Sequence, residues 1–598
     1  MSPAILVLGP SALALARRLR RGLPGAQIHG PRGLDGVDVA YARAAPHLRK
    51  LFRSGRPILG LCASGILVRT LAPLLRDKAE EPPVVAMAED GSVAVPLLGG
   101  HRGANALARA AAEISGATAA LTTASEVGLG FALDAPPPGW HVANPARAKP
   151  LMARLLAGKP VTVRIEAGRA DWLTQHRLVR RVERGATEIR VTDRAAGPRE
   201  RALVLHPPVL ALGVGASRGC PPRELAALVR RTLARAGLAP EAVAALVSID
   251  LKMDEPAVTD LAEKLSVPAR FFRAAELLRE TPRLTDPSAA TFRATGCYGV
   301  AEGAALSAVG TRGALVVAKR KSRHATCAVA RAPEPLDPQR IGCVRGALAI
   351  VGIGPGASAW RTPEASAAIA GATDVVGYGL YLDLLGPALA GKRRHARALG
   401  AETARARLAL DLAAEGRNVA LVSSGDAGIY GLASLVFELL EREERPQWRR
   451  IALSVVPGVS AMQAAAARAG APLGHDFAAI SLSDVLTPWP QIERRLEAAA
   501  RADFVLALYN PRSARRTRQL ARARRILLRH RAPETPVVLA RNLGRAGERV
   551  TVASLGTLDP RAVDMLTLVL VGSSASRRIA GDPPWVYTPR GYARKGGR

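Results

Sequence analysis

Residues 352–356, Gly-Ile-Gly-Pro-Gly, follow an apolar run, and an acid, Asp374, stands some twenty residues further on. By spacing alone this nearly matches the G-x-G-x-x-A turn that seats a dinucleotide's diphosphate, with an acid for the ribose. Local details count against that chemistry. Thr362 is a good N-cap, Pro363 a good first helical residue and Glu364 a favourable first-turn charge, so the helix begins about ten residues after Gly352 and not within the glycine motif. Pro355 removes a backbone N–H that would cradle phosphate. Asp374 precedes Val-Val-Gly-Tyr-Gly and so begins a strand, whereas a ribose-binding acid ends one. What remains is a glycine-proline turn through which backbone closely approaches another group.

Two more stretches share that character. Residues 423–431 (SSGDAGIYG) set Gly425, Gly428 and Gly431 around Asp426, and in residues 455–470 the pair Pro457-Gly458 precedes a helix start made of small residues. Neither carries the Gly-Lys-Ser/Thr of a phosphate loop. Loops of accessible backbone and tiny side chains suit an adenosine-bearing ligand held by main-chain groups.

The elements that must position these loops are strands. In the C-terminal part LAIVGIG, DVVGYG, NVALVSSG, IALSVVPG, FVLALYN, PVVLARN and LTLVLVG each end in Gly, Asn or Pro, and most precede a helix-length segment. Ligands of open α/β sheets bind at the carboxyl ends of strands, so the functional residues belong to these loops. The rest of the chain alternates in the same way, which implies a multi-domain α/β protein. The expected blocks are 1–135, 151–203, 205–332 and 347–590, with Pro-rich linkers at 133–150 and 332–346.

With 598 residues the chain is too long for one core, and 48% hydrophobic with 22% charged residues is an ordinary globular composition. No apolar run reaches the roughly 18 residues of a membrane span, and the N-terminus reads as a strand and helix, so a cytoplasmic protein is expected. Five scattered cysteines form no C-x-x-C or Cys/His cluster, which points to reduced thiols and no metal site. The net charge of +34 is spread along the chain with only 4% aromatic residues, which argues against nucleic acid and leaves a polyanionic small substrate as the better use. The densest basic run, 514–531, reads as an amphipathic helix with a solvated arginine face.

Six motifs in order, GIGPG, SSGDAGIYG, PGVSA, LYNPRS, ARNLGRAGERV and DMLTLVLVGSS, resemble the tetrapyrrole methyltransferases over nearly all of 347–580, and among them the precorrin-3B C(17)-methyltransferases of cobalamin synthesis. The resemblance implies a two-domain methylase fold with S-adenosyl-L-methionine in the cleft between α/β domains. Carried over, Gly425, Asp426, Ala427, Ile429 and Tyr430 line the cofactor, with Ser460 and Ala461 after the Pro-Gly turn. Tyr509, Asn510, Asn542 and Thr567 follow on later loops, and Pro355 and Gly356 sit at the mouth. Methyl transfer to an enamine-like ring carbon is an in-line displacement that relies on positioning and solvent exclusion. The family's reaction also contracts the macrocycle; no residue is assigned to the proton this moves, and Asp426 fits a cofactor-binding or loop-anchoring group better than a base.

The N-terminal half resembles the CbiG-like cobalt-precorrin-5A hydrolases through SGILVR, LLGGHRGAN and LTTASE, then GVGASRGCP, SIDLKMDEPAV, GCYGVAEGAAL and KRKSRHAT; the middle block matches least. The implied reaction opens a lactone and expels a two-carbon aldehyde, which requires activated water or a general base. His101, Lys252 and Glu302 are the candidate catalytic residues, with Arg102, Asn105, Asp254 and Glu255 as further contacts. His101 equally suits a helix cap, and Lys252 to Glu255 a solvated helix entry. A non-catalytic module that binds and hands on intermediates, and a cobalt-factor III methyltransferase, are the alternative functions. The expected partners are a polycarboxylate tetrapyrrole, other corrin-pathway enzymes, and a second copy paired through the methyltransferase domain.

Overall fold

The computed structural model describes residues 2–23, 25–77, 80–122, 128–398, 400–581 and 584–592, and of His101 the backbone alone. It divides into two compact units, Met1–Arg345 and Gly346–Arg598. No helix among the described residues is long and apolar enough to cross a membrane.

Among the described residues the first unit holds three sheets. The first runs Val39–Tyr41, Gln27–Pro31, Ala4–Val7, Ile58–Leu61, Val84–Met87, Val93–Leu98, Thr118–Ala119. Ala4–Val7, Ile58–Leu61 and Val84–Met87 are buried throughout, the signature of parallel strands covered on both faces. The second runs Val179–Arg181, Val161–Ile165, Ile189–Val191, Leu203–His206, His141–Val142. Its last strand comes from the segment that proline content marks as a linker. Leu133 and Trp140 are buried with Leu151 and Leu205 in that sheet's core, and the strand His141–Val142 pairs antiparallel with Leu203–His206. Apolar burial overrides the linker-like composition there, so residues 133–150 are part of the domain.

The third sheet runs Ala269–Phe272, Val243–Ile249, Leu210–Ala216, Ala325–Arg331, Ala314–Lys321. The first three strands are parallel, and the last two form an antiparallel hairpin. Helix Val300–Val309, built almost wholly of small residues, is buried nearly all round.

The second unit opens with a fully parallel sheet ordered Arg393–Arg397, Asp374–Tyr378, Asn418–Ser423, Ala347–Gly352, Ala452–Val456. Asp374 is the first residue of its strand, as its sequence position implies. It is fully buried beside Arg393, His395 and Arg417, at 3.4, 2.8 and 3.1 Å. A mixed sheet follows, ordered Phe477–Ser481, Val505–Tyr509, Thr567–Val571, Pro536–Arg541, Arg549–Ser554. The basic run supplies helix Gln519–Leu527, which buries Leu520, Ala523, Ile526 and Leu527.

Candidate functional site

Strand order explains why the three glycine loops meet. Ala347–Gly352 lies between Asn418–Ser423 and Ala452–Val456, in a register that pairs Gly352 with Ser423 and Val351 with Val456. The three motifs therefore leave the same edge side by side. Gly354 and Gly425 then exchange backbone bonds, at 3.1 Å into the Gly425 carbonyl and 2.8 Å into that of Gly354. Asp426 ties the remaining pair. One carboxylate oxygen accepts from Gly428 N–H at 2.8 Å, and the other from Gly458 N–H at 2.9 Å across the Pro-Gly turn. That turn leads into helix Ala461–Ala469, capped reciprocally by Ser460 and Gln463.

The mixed sheet supplies the facing wall. Tyr509 and Asn510 follow one strand, Asn542 follows another, and Thr567 begins a third opposite Arg541. Three of the five non-glycine residues with positive φ among the described residues are here: Tyr430 (52°), Asn510 (51°) and Asn542 (52°). For an aromatic residue that conformation is costly, and such strain gathers where surrounding structure over-determines the backbone. Tyr430 Oη donates to the Ala479 carbonyl at 2.9 Å, and its ring lies 5.0 Å from that of Tyr509. Tyr509 Oη in turn accepts from Met462 N–H at 3.3 Å. Burial pushes both phenols above their ordinary pKa, so they stay protonated near neutrality.

These walls enclose a cavity of about 200 Å³. Pro355, Gly425, Asp426, Ile429, Tyr430, Ser460, Ala461, Tyr509, Asn510, Asn542 and Thr567 all line it. Ala427 does not: its methyl is fully buried in the core beneath, with Leu432 and Val436. The motif reading missed Tyr381, Ser424, Leu543, Arg545, Met565 and Leu566, which also line the cavity. Ser424, Leu543, Arg545, Met565 and Leu566 lie inside the six motifs, whereas Tyr381 sits in helix Gly379–Leu385, which no motif marks.

The first-unit candidates lie on separate elements. The His101 side chain lies outside the described residues; its backbone forms the one-turn helix Gly100–Arg102, which enters Ala104–Ser115 with Asn105 buried. Glu302 is buried and committed. It accepts from the Thr285 hydroxyl, from Thr285 N–H at 2.8 Å and from Lys319 N–H at 2.8 Å. Burial would raise its carboxyl, but those donors outweigh it and leave the pKa lowered, as for a structural anchor.

Lys252 lies at the carboxyl ends of Leu210–Ala216 and Val243–Ile249. Its ammonium makes no ion pair or hydrogen bond among the described residues, and burial, then Arg218, lower its pKa. Beside it Glu255 is fully buried, with one oxygen accepting from Gly219 N–H at 3.2 Å and the other meeting no donor. Asp254 pairs with Arg218 at 2.8 Å. The same edge carries a pair the motif reading did not single out: Glu224 Oε2 lies 2.9 Å from His324 Nδ1. Donors from Ser322 and His324 hold the Glu224 carboxyl down to about 2.

Known proteins place both units. The family model of tetrapyrrole (corrin/porphyrin) methylases matches residues 347–559, and those of the cobalamin synthesis G N-terminal and C-terminal regions match 46–126 and 210–330. The precorrin-3B C(17)-methyltransferase of a Sinorhizobium species is 45% identical over 250 residues, 42% of this chain and 98% of that protein. The probable cobalt-factor III C(17)-methyltransferase of Salmonella typhimurium is 44% identical over 245 residues, 41% of this chain and 99% of that protein. The chain belongs to the tetrapyrrole methylases, joined to cobalamin-synthesis-G-like regions, as its motifs imply. The cobalamin biosynthesis protein CobIJ of Mycobacterium tuberculosis is 47% identical over 263 residues, 43% of this chain, which spans about half (51%) of that relative's length.

Proposed function

We propose that residues 346–598 transfer a methyl group from S-adenosyl-L-methionine to C-17 of a precorrin-3B-type tetrapyrrole, with ring contraction, in cobalamin biosynthesis. The observation that carries this reading is the convergence of three glycine loops and two asparagine-bearing loops on one cavity. Its lining holds no lysine, histidine, cysteine or glutamate among the described residues. The residues present fit the cofactor. A side chain at Gly425 would meet nothing closer than 3.7 Å, so backbone is open to a ligand there, and Ile429, Leu543, Met565 and Leu566 offer apolar surface beside the tyrosine pair. Bound S-adenosyl-L-methionine supplies an electrophilic methyl on a cationic sulfur.

The chain's own part is placement. Asp426 spends both oxygens on backbone N–H groups, so it fixes the loop and is not free to act as a base. Ser460, Tyr430 and Tyr509 hold the walls together, and closely packed loops exclude water from the transfer. Transfer of labelled methyl from S-adenosyl-L-methionine to a precorrin-3-type substrate tests the reading. Metal-free and cobalt-loaded forms, run in parallel, separate the precorrin from the cobalt-factor substrate. Asp426→Asn turns one acceptor into a donor facing an N–H, and a lost charged hydrogen bond of about 1.5–3 kcal/mol predicts a roughly tenfold to hundredfold fall in kcat/KM. Failure of the wild-type chain to label either substrate would overturn the assignment.

For residues 1–345 we propose a hydrolytic step on a related tetrapyrrole, because Glu224 fixes the His324 ring through Nδ1 and leaves Nε2 as a basic site on the edge that carries Lys252. His324 thus joins His101, Lys252 and Glu302 as a candidate base. His324→Gln in the full chain is expected to lower aldehyde release from a lactone-bearing cobalt-precorrin by about a hundredfold, leaving methyl transfer intact. Unchanged release would return the unit to the alternative of a module that binds and hands on intermediates. Pairing of two copies through the methyltransferase unit remains a proposal for a sizing experiment.

A further inference from the structure

We propose that Arg545 is the seat of a ligand carboxylate, placed in the cavity wall to hold an acidic arm of the tetrapyrrole. The inference rests on the methyltransferase reading and adds the group that recognises the substrate.

The argument starts from what Arg545 lacks. It lines the cavity and is partly buried, yet it makes no ion pair among the described residues. Its Nε donates to the Pro355 carbonyl at 2.8 Å and one terminal nitrogen to Ser424 Oγ at 2.8 Å, both neutral acceptors; the other, Nη1, has no hydrogen bond among the described residues. Its remaining neighbour is the Tyr381 ring, 6.0 Å away. Withdrawing a cation from water without a counter-charge is costly, and a protein sustains that where a ligand supplies the missing charge.

Three acids of its own and neighbouring loops, Glu548, Asp564 and Asp426, are engaged elsewhere. Glu548, three residues on in the same loop, pairs with Arg468 at 2.6 Å and accepts from Gly544 N–H at 2.7 Å. Asp564 pairs with Arg541 at 2.7 Å and holds the Thr567 hydroxyl at 2.6 Å. Asp426 is bound to two glycine N–H groups. Among the described residues the cavity therefore presents one cation with no acid paired to it.

Its position is also fixed. A side chain at Gly356 would lie 2.3 Å from the Gly544 carbonyl oxygen, so the loop carrying Arg545 is pressed backbone to backbone onto the Gly-Pro-Gly turn. A guanidinium held in place presents a planar fork matched to a carboxylate, which a lysine cannot reproduce.

Two ligands of the proposed reaction carry carboxylates: the amino-acid end of the cofactor and the acidic arms of the macrocycle. Calorimetric titration of the full chain separates them, with S-adenosylhomocysteine as one probe and uroporphyrin III, a metal-free octacarboxylate, as the other. Arg545→Gln is expected to weaken the porphyrin at least tenfold, with S-adenosylhomocysteine affinity within about twofold of wild type, which doubles as evidence of folding. Arg545→Lys should fall between. Weakening confined to S-adenosylhomocysteine would keep the carboxylate seat and assign it to the cofactor. Unchanged affinity for both ligands in a folded variant overturns the proposal. Should Arg545→Gln fail to fold, wild-type porphyrin affinity in Arg545→Lys overturns it equally. A wild-type chain that binds neither probe would instead bring down the methyltransferase reading on which the inference rests.

Discussion

Gly458→Ala is expected to lower methyl transfer and S-adenosylhomocysteine affinity by at least about a hundredfold, although it adds a single methyl. That methyl would stand 2.2 Å from the Gly425 carbonyl oxygen and 2.7 Å from the Gly352 carbonyl carbon. Both obstacles are backbone, so neither can rotate aside, and one of the three loops must retreat. Moving 423–431 breaks the Gly354–Gly425 pairing and draws Asp426 away from Gly458 N–H, the bonds that aim Tyr430 and Gly425 into the cavity. Misplacement by about 1 Å is enough to cost two orders of magnitude in rate. Gly371→Ala is the matched control, because a side chain there meets nothing within 4 Å and requires no unusual φ. Titration and label transfer on the two variants decide the matter; wild-type affinity in Gly458→Ala would show that the loops do not hold the cofactor as proposed.

The same packing explains which parts of the site are legible in sequence. A glycine pressed between backbones, or a proline ending an apolar run, leaves a local mark, and GIGPG, SSGDAGIYG and PGVSA carry such marks at the ends of adjacent strands. Membership in a motif does not reveal direction, however. Ala427 lies in the same loop as Asp426 but turns its methyl into the core. Arg545 is invisible for another reason: among 84 Lys and Arg residues nothing in its neighbourhood singles it out. Its distinction emerges only when tertiary structure hands Glu548 to Arg468 and Asp564 to Arg541. Glu302 errs in the opposite sense, since an acid in a helix of small residues looks available until Thr285 and Lys319 are folded against it. The segment 133–150 misleads because proline content is a local signal, whereas the burial of Leu133 and Trp140 depends on strands more distant in the chain.

In the first unit the largest effect expected from one substitution is that of Gly213→Val. Strand Leu210–Ala216 is central in its sheet, and helix Val300–Val309 crosses it so closely that a Cβ at Gly213 would lie 1.9 Å from the Ala301 carbonyl oxygen and 2.9 Å from the Ala305 methyl. The small residues Ala301, Gly303, Ala304, Ala305 and Ala308 make that approach attainable, which is why the helix has no polar face. Valine forces the helix outward, opens a gap along the strand and strains the three bonds that anchor Glu302. Overpacking against backbone, together with the loosened packing behind the displaced helix, predicts a cost of about 3–5 kcal/mol. Set against a typical total of about 5–15 kcal/mol, the loss places the unit near unfolding. Urea titration of the full chain with pulsed proteolysis reads this directly: cleavage within 1–345 should begin at a clearly lower urea concentration in Gly213→Val. Gly197→Ala should behave as wild type, since nothing lies within 4 Å of a side chain there. An unchanged midpoint in Gly213→Val would mean that the helix can move aside at little cost, and the close packing would then not be what holds the strand end bearing Arg218 and Gly219 beside Lys252 and Glu255.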